Sequence, residues 1–310
     1  MSDPQSDFPH RLASFLAFQD AEACARARSI KRSEITTHPN KEFHISTIDA
    51  AEELHLAMAK DIVGRIRASR DDGKKLVLIL PCGPVPQYRT AAAMINREKL
   101  TMHHVHTYNM DEYADEDGHT APPTWPGSFQ YTMMSEFFGR VDAELRPAGT
   151  NTHFPSSRNI GGYSDEIAEQ GGADVCYGGI GWSGHIAFWE PQLAHEFGGD
   201  WEAWCRASGR LVELHPLTVM QNALHSFGSD WSWVPPKAVT IGPRDIVGAR
   251  LRSFWLDGEL GAGLSWQRFI ARLVAHGPVT PLVPGSVLQT LRSDFTILGG
   301  VADDIEIHMA

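Results

Sequence analysis

A histidine that follows a run of glycines is the first candidate for chemistry in this sequence. Residues 178–191 read GGIGWSGHIAFWEP, and the glycines permit tight turns and close approach of a ligand to the backbone. His185 lies in this run, and an imidazole exchanges protons near neutral pH. A lone histidine in an apolar stretch is more often a core residue. Here the preceding glycines, with Glu190 five residues further on to orient the ring, favour an acid/base role for His185.

Two adjacent carboxylates form the second candidate. Residues 108–113 read YNMDEY, and neighbouring residues of an extended chain point to opposite sides. Asp111 or Glu112 can therefore face a cleft as a general base while the other makes supporting hydrogen bonds. The alternative is a solvated acidic turn, because residues 115–117 are also acidic.

The third candidate is the loop of residues 81–86, PCGPVP. A glycine-containing turn between a strand and a helix often presents backbone N–H groups to an anion. Pro84 and Pro86 remove two such donors, and the loop has no Ser or Thr hydroxyl. A rigid connection is therefore favoured over a phosphate cradle, and Cys82 and Gly83 are the candidates for contact with a ligand.

Composition excludes several classes of partner. The net charge is -11, with 27 basic and 38 acidic residues, which is unlike the basic surface of a nucleic-acid binder. The four cysteines form no CxxC pair and no HxxxH or HExxH spacing occurs, so we expect no metal. No signal-peptide pattern and no apolar run of about 20 residues is present, so we expect no membrane association and a cytoplasmic location.

Strand-like and helix-like segments alternate along the chain. Apolar residues at helical spacing predict a helix over 47–69, capped by Thr47, and the apolar run 76–80 predicts a strand buried on both faces. Further helices are predicted over 87–98, 129–138 and 265–276, and further strands over 104–108, 173–179, 237–241 and 253–256. This alternation indicates a doubly wound α/β fold: a mostly parallel, Rossmann-like sheet flanked by helices in a single domain.

In such a sheet, ligands bind beyond the carboxyl ends of the strands. The three candidate loops, which follow Leu80, Tyr108 and Tyr177, are therefore expected around one crevice. Residues 1–44, with helical spacing around Leu12, Phe15 and Leu16, are predicted to form a helical extension to an α/β domain of residues 45–310.

The runs 107–113, 178–191 and 234–242, in this order, resemble the glucosamine-6-phosphate deaminase/isomerase family, whose superfamily includes 6-phosphogluconolactonase. The resemblance covers about residues 45–300. It implies a sugar-binding active site in which His185 opens the pyranose ring, with Glu190 matching one member of an acidic pair beside it. Asp111 then moves a proton between C1 and C2, and ammonia is lost. The implied catalytic set is Asp111, Glu112, His185 and Glu190, with no cofactor and with assembly as a homo-oligomer.

This sequence departs from the family pattern beside the histidine. Ser183 stands where the family has an aspartate, and Trp182 and Trp189 stand where it has asparagines. Two indoles beside a sugar would form a ring-stacking wall, or they would simply fill the pocket. The predicted substrate-binding residues are Cys82, Gly83, Gly181, Trp182, Ser183, Gly184 and Trp189.

The expected phosphate ligands are also absent. Loop 81–86 lacks the family's Thr-Gly-Gly-Thr or Ser-Thr character, no lysine occurs in residues 257–263, and no cation stands around 219–220. We therefore expect a divergent isomerase/deaminase acting on a sugar or amino sugar that lacks the 6-phosphate or carries a different group there, with Asp257 or Glu259 binding hydroxyls or an amine. The alternatives are a lactonase or aldose–ketose isomerase on a non-phosphorylated sugar, or a non-catalytic sugar-binding homologue.

Overall fold

A seven-stranded parallel sheet forms the centre of the computed structural model, which describes residues 10–261 and 263–307. The strands are β1 (Phe43–Ile48), β2 (Leu76–Leu80), β3 (Val105–Asn109), β4 (Asp111–Ala114), β5 (Thr152–His153), β6 (Val175–Gly178), β7 (Arg210–Glu213), β8 (Lys237–Thr240), β9 (Leu251–Leu256), β10 (Glu259–Gly261), β11 (Leu264–Ser265) and β12 (Ser293–Leu298). The α-helices are α1 (Ala21–Ser29), α2 (Ala51–Asp71), α3 (Pro86–Glu98), α4 (Phe129–Glu136), α5 (Ile160–Glu169), α6 (Trp201–Cys205), α7 (Pro216–Ser226), α8 (Pro243–Gly248), α9 (Arg268–His276) and α10 (Gly299–Ala302).

The strand order of the main sheet is β1-β12-β9-β6-β2-β3-β5, and every neighbouring pair is parallel. All five residues of β2 are buried, because helices cover both faces of a parallel sheet and leave no polar side for alternation. The predicted single-domain α/β fold with a mostly parallel sheet is confirmed.

A smaller antiparallel sheet, in the order β4-β8-β7, carries one of the candidate motifs. Only Met110 separates β3 from β4, so the chain leaves the main sheet and immediately pairs with β8. The strand predicted over 237–241 therefore exists, but as part of this second sheet. Its apolar pattern indicates burial without specifying which strand it pairs with.

Two details of the predicted N-terminal region are wrong. Thr47 does not cap a helix: it lies in β1, whose Phe43 and Ile45 are buried, and α2 begins after Ala50, which makes no side-chain cap. The spacing around residues 12–16 does not produce a helix either: residues 10–20 are not helical, and α1 begins after its cap, Asp20. The division at residue 44 stays a prediction, and β1 crosses it.

The segment after α1 is attached to α9 through side-chain hydrogen bonds. Nε of the fully buried Arg272 donates to the carbonyl oxygen of Ile30 (2.8 Å), and Nε2 of His276 lies 2.9 Å from the carbonyl oxygen of Ile35. A buried guanidinium needs all its donors occupied, and Arg272 also donates to the carbonyls of Ala302 and Asp303. The segment after α1 and the segment after α10 are thereby both attached to α9.

Candidate active site

A cleft of ≈ 390 Å³ lies where the carboxyl ends of β2, β6 and β9 meet the start of β4. Its walls include the three loops predicted to converge, at residues 81–85, 110–113 and 179–188. Parallel strands end at the same edge of a sheet, so loops that are remote in the sequence become neighbours there.

The alternation of β4 divides its polar side chains between two sides. Asp111 and Tyr113, two residues apart, line the cleft, whereas Glu112 points away from it. The Glu112 carboxylate accepts hydrogen bonds from the backbone N–H groups of Phe129 (2.9 Å) and Gln130 (2.8 Å) and from the hydroxyl of Ser128 (2.7 Å). Glu112 therefore caps α4, and its position disfavours the predicted catalytic role and favours a positioning role.

The carboxylate of Asp111 is nearly buried, yet it accepts no hydrogen bond from any residue that the structure describes. Burial raises the pKa of Asp111 well above its ordinary value, and the adjacent charge of Glu112 raises it further. Burial also raises the pKa of Glu112, although its hydrogen bonds from Gln130, Phe129 and Ser128 oppose that effect. An unpaired carboxyl group with a raised pKa can accept and return a proton at a carbon atom.

Two glycines make room for His185. A Cβ atom on Gly181 would lie 2.1 Å from both Cε1 and Nε2 of the imidazole, so the ring lies directly against this backbone. Gly184 has φ +90°, a conformation that other residues rarely adopt, and its N–H donates to the carbonyl oxygen of Gly181 (2.9 Å). The resulting turn presents His185 to the cleft, which the imidazole lines.

The Nδ1 side of His185 faces a buried cluster of oxygen atoms. Oγ of Ser183 and Oγ1 of Thr218 each lie 3.0 Å from Nδ1, and Oε2 of Glu190 lies 3.4 Å from it. Ser183 also donates to Glu190 (2.8 Å). Nε2 has no hydrogen-bond partner within residues 10–261 and 263–307, which leaves it available to a ligand.

Glu190 is fully buried and holds this cluster together. Its Oε1 accepts a hydrogen bond from the backbone N–H of His215 (3.2 Å). Burial raises the pKa of Glu190, but the charge of His185 and the hydrogen bonds from His185, Thr218 and Ser183 lower it, and the net shift is downward. The negative charge of Glu190 therefore lies 3.4 Å from Nδ1 of His185.

The two tryptophans do not form a wall for a sugar ring. Trp189 is buried in the core beside Phe197, and Trp182 is half-buried beside Trp266; neither indole lines the cleft. Of the two alternatives, an indole that fills space in the protein describes Trp189 better than one that stacks on a sugar. Trp182 contributes its backbone N–H, which donates to Oε1 of Gln221 (2.7 Å). Trp266, which the sequence did not single out, lines the cleft instead.

The lining of the cleft is acidic in composition. Cys82 and Gly83, two of the predicted substrate-binding residues, line the cleft. Three carboxyl groups, those of Asp111, Asp257 and Glu259, also line it. Burial raises the pKa of the Cys82 thiol, so this residue is an uncharged wall. No lysine or arginine of the described part of the chain lines the cleft.

Helix α7 supplies residues that the sequence reasoning missed. Thr218 contacts His185, and Gln221 and Asn222 line the cleft. The spacing of Thr218 and Asn222, four residues apart in a helix that follows Pro216, was the available signal, because it places both on one face. Sequence alone does not show that this face points to the histidine.

Two further features are absent from the described residues. No group of three or more His, Cys, Asp or Glu side chains there could hold a metal ion. No helix there combines the length and the apolar content needed to cross a membrane.

The fold and the cleft define a Rossmann-like α/β enzyme with a small-molecule site at the carboxyl edge of its sheet. No protein-family model matches the chain. The chain is 31% identical to glucosamine-6-phosphate deaminase 2 of Bacillus subtilis over 244 residues, which are 77% of this chain and 87% of that protein. It is 32% identical to glucosamine-6-phosphate deaminase of Caenorhabditis elegans over 201 residues (62% and 67%). The chain belongs to the glucosamine-6-phosphate deaminase family and is an enzyme of carbohydrate metabolism.

Solved structures share the fold. A monomeric glucosamine-6-phosphate deaminase matches with a TM-score of 0.69 at 22% identity, over 83% of this chain and 98% of that one. A 6-phosphogluconolactonase from Thermotoga maritima matches with a TM-score of 0.54 at 15% identity, over 83% and 99%. Since the first of these is described as monomeric, the homo-oligomer expected for this chain stays a prediction.

Proposed function

We propose that this enzyme opens the ring of an amino sugar through His185, isomerises it through Asp111 and releases ammonia, and that its substrate carries no 6-phosphate. The observation that carries the proposal is the cleft itself. Nε2 of His185 and the unpaired carboxyl of Asp111 face the same space, and no lysine or arginine among the described residues lines it. The family membership supports the reaction class, and the lining supports the altered substrate.

Ring opening requires a proton to leave the C1 hydroxyl and a proton to reach the ring oxygen as the C1–O5 bond breaks. The imidazole of His185 can perform both transfers at Nε2, because Nδ1 is occupied by Ser183, Thr218 and Glu190. Ser183 cannot provide the charge of the family's aspartate. It instead hydrogen-bonds both His185 and Glu190, so the single buried carboxylate of Glu190 is left to stabilise the imidazolium.

Isomerisation requires a base that removes the proton from C2 and delivers it to C1. Asp111 fits this role because its carboxyl has no competing hydrogen bond among the described residues and its pKa is raised by burial and by Glu112. The proton transfer leaves an imine at C2, and water replaces the nitrogen there, giving the ketose and ammonia. Each atom is supplied by the sugar, by water or by these two side chains.

A 6-phosphate would meet an unfavourable field in this cleft. It carries a charge of about -1.5 to -2 at neutral pH, and protein phosphate sites normally supply arginine, lysine or several backbone donors. Here the lining offers Asp257 and Glu259, and the adjacent loop contains Pro84. A terminal hydroxyl, which can donate to a carboxylate, suits this end of the cleft better.

The test compares ammonia release from glucosamine and from glucosamine 6-phosphate at equal concentrations. We expect the free amino sugar to have the higher kcat/KM, and His185→Gln to abolish turnover while sugar binding, measured by calorimetry, is retained. A clear preference for the phosphorylated sugar would remove the altered-substrate part of the proposal. Unchanged turnover of His185→Gln would remove the assigned mechanism.

One observation favours a second candidate, an isomerase or lactonase that releases no ammonia. Ser183 stands where the family pattern has an acidic residue, so among the described residues only the carboxylate of Glu190 contacts His185. Formation of a ketose without ammonia, or hydrolysis of a sugar lactone, would identify this alternative.

A further inference from the structure

Asn222 is an unpaired hydrogen-bond donor in the wall of the cleft. The residue is only 4% exposed, and its Nδ2 atom is buried without a hydrogen-bond partner among the residues the structure describes. Asn222 nevertheless lines the cleft. A buried amide N–H without a partner costs free energy that a ligand oxygen would recover.

The geometry of α7 explains why this donor is held in place. Asn222 follows Thr218 by four residues and therefore lies one helical turn further along the same face. Thr218 is fixed by its contact with Nδ1 of His185, and Gln221 is fixed by the hydrogen bond from the backbone of Trp182. The helix is thus attached to the histidine loop at two positions that precede Asn222 in the chain.

Two further polar groups face the same part of the cleft. Asp111 and Tyr113, on one side of β4, both line it, and no residue in the described ranges donates a hydrogen bond to the carboxyl of Asp111. Burial raises the pKa of the Tyr113 hydroxyl, Cys82, Asp111 and Glu112 add to this effect, and the Asn222 side chain, which lies within hydrogen-bonding reach of the hydroxyl, opposes it. Asn222, Tyr113 and Asp111 are therefore close enough to act on one substrate.

We infer that Nδ2 of Asn222 binds an uncharged oxygen of the substrate, a hydroxyl or a carbonyl, and so selects sugars that carry an oxygen at that position. An amide N–H requires an acceptor with a lone pair, which an ammonium group does not have. The amine of an amino sugar, when protonated, must therefore lie elsewhere, near the carboxylates. The inference rests on the proposed function in that it takes the cleft as a sugar site, and it makes Asn222 a specificity-determining binding residue.

The experiment measures binding by titration calorimetry with glucosamine and with its 3-deoxy, 4-deoxy and 6-deoxy analogues. The proteins are the unaltered enzyme, Asn222→Ala, and Asn222→Asp, which keeps the side-chain size but replaces the amide donor with a carboxylate. Met220→Ala is the control on the same helix, because Met220 is 44% exposed and lies outside the cleft lining. Melting temperatures of all variants show whether each is folded.

We expect one deoxy analogue to bind the unaltered enzyme about tenfold to a hundredfold more weakly than glucosamine, the range for losing the partner of a buried donor. Asn222→Ala should bind glucosamine more weakly than the unaltered enzyme does, by a similar factor. It should bind that deoxy analogue with the same affinity as the unaltered enzyme does. Asn222→Asp should also bind glucosamine weakly. Met220→Ala should bind as the unaltered enzyme does. Equal losses for all four sugars on Asn222→Ala, no loss, or no binding of any of these sugars to the unaltered enzyme would overturn the inference.

Ammonia release, measured in parallel, separates this inference from the proposed function. Binding that depends on Asn222 without turnover would support the inference and contradict the deaminase reaction. The opposite outcome is turnover together with a loss of affinity on Asn222→Ala that is the same for every sugar. That outcome would support the proposed reaction and would show that Asn222 does not recognise the substrate.

Discussion

Replacement of Gly181 by alanine tests the placement of His185 directly. The new Cβ would lie 2.1 Å from Nε2 and Cε1 of the imidazole, whereas ordinary contacts begin near 3.4 Å. The ring would have to move by about 1.3 Å, the difference between these two distances. It cannot do so freely, because Ser183, Thr218 and Glu190 hold Nδ1 from the other side.

The expected effect on activity is larger than the effect on stability. Overpacking a filled interior costs roughly 1–3 kcal/mol of folding free energy, which a chain of this size tolerates. Misplacing a catalytic group by about 1 Å costs roughly a hundredfold in rate. Gly181→Ala should therefore remain folded, with a modestly lower melting temperature, and should lose about two orders of magnitude in kcat with a smaller change in KM.

The assay is ammonia release from glucosamine, with thermal unfolding monitored by circular dichroism. Gly64→Ala is the matched control, because Gly64 lies in α2 with nothing within 4 Å of the added Cβ. It should keep full activity and gain up to about 1 kcal/mol of stability from its better helix propensity. If Gly181→Ala retained full kcat, the imidazole would either not stand against this backbone or not take part in the reaction.

Three further predictions concern the ionisable groups of the site. Asp111 must be ionised to act as a base, so activity should rise as the pH rises through the raised pKa of Asp111. The charge of Glu112 contributes to that raised pKa. Glu112→Gln removes the charge, so the acid limb of the pH–rate profile should move to lower pH. No movement would contradict the coupling. The folded-state pKa of Glu190 lies below its ordinary 4.5, so its ionised form contributes stability above that pH, and the contribution is lost as pH falls through the folded-state value. Urea unfolding of Glu190→Gln should show a flatter acid loss than the unaltered enzyme, and an equally steep loss would refute this. Asp257→Lys adds a cation to the cleft lining and should raise the affinity for glucosamine 6-phosphate relative to glucosamine by about tenfold or more, measured by calorimetry; an unchanged ratio would place the sugar's sixth carbon elsewhere.

The fold class and the main strands followed from local pattern. The run 76–80 has only large apolar residues, which fits one place in an α/β protein, a strand covered on both faces. The prediction failed where pattern is ambiguous. Residues 43–48 form a strand whose alternation is short, and Thr47 there looked like a helix cap because the next helix begins three residues after the strand ends. Only pairing with β12 decides between these interpretations.

The candidate site, like the fold, was predictable from the sequence only in part. His185, Asp111 and Glu190 were identifiable because their residue types are rare in such apolar and glycine-rich surroundings, and the order of the motifs indicated the family. Thr218 and Asn222 were not, since a threonine and an asparagine in a helix carry no chemical signal until a partner is known. The sequence left the role of Trp189 open for a related reason. An indole beside a site motif can face the ligand or the core, and its rotamer is set by packing against residues such as Phe197.

By itself the sequence indicated the candidate groups for proton transfer, the parallel α/β framework and the absence of cationic residues at the expected positions, because each depends on residue identity or short-range periodicity. Tertiary structure alone decided which groups meet. It placed Glu112 on a helix N-terminus and Asp111 in the cleft, and it brought Thr218, 33 residues away in the chain, to Nδ1 of His185. Such contacts join segments that are distant in sequence, and they arise only when the sheet order and the helix orientations are fixed.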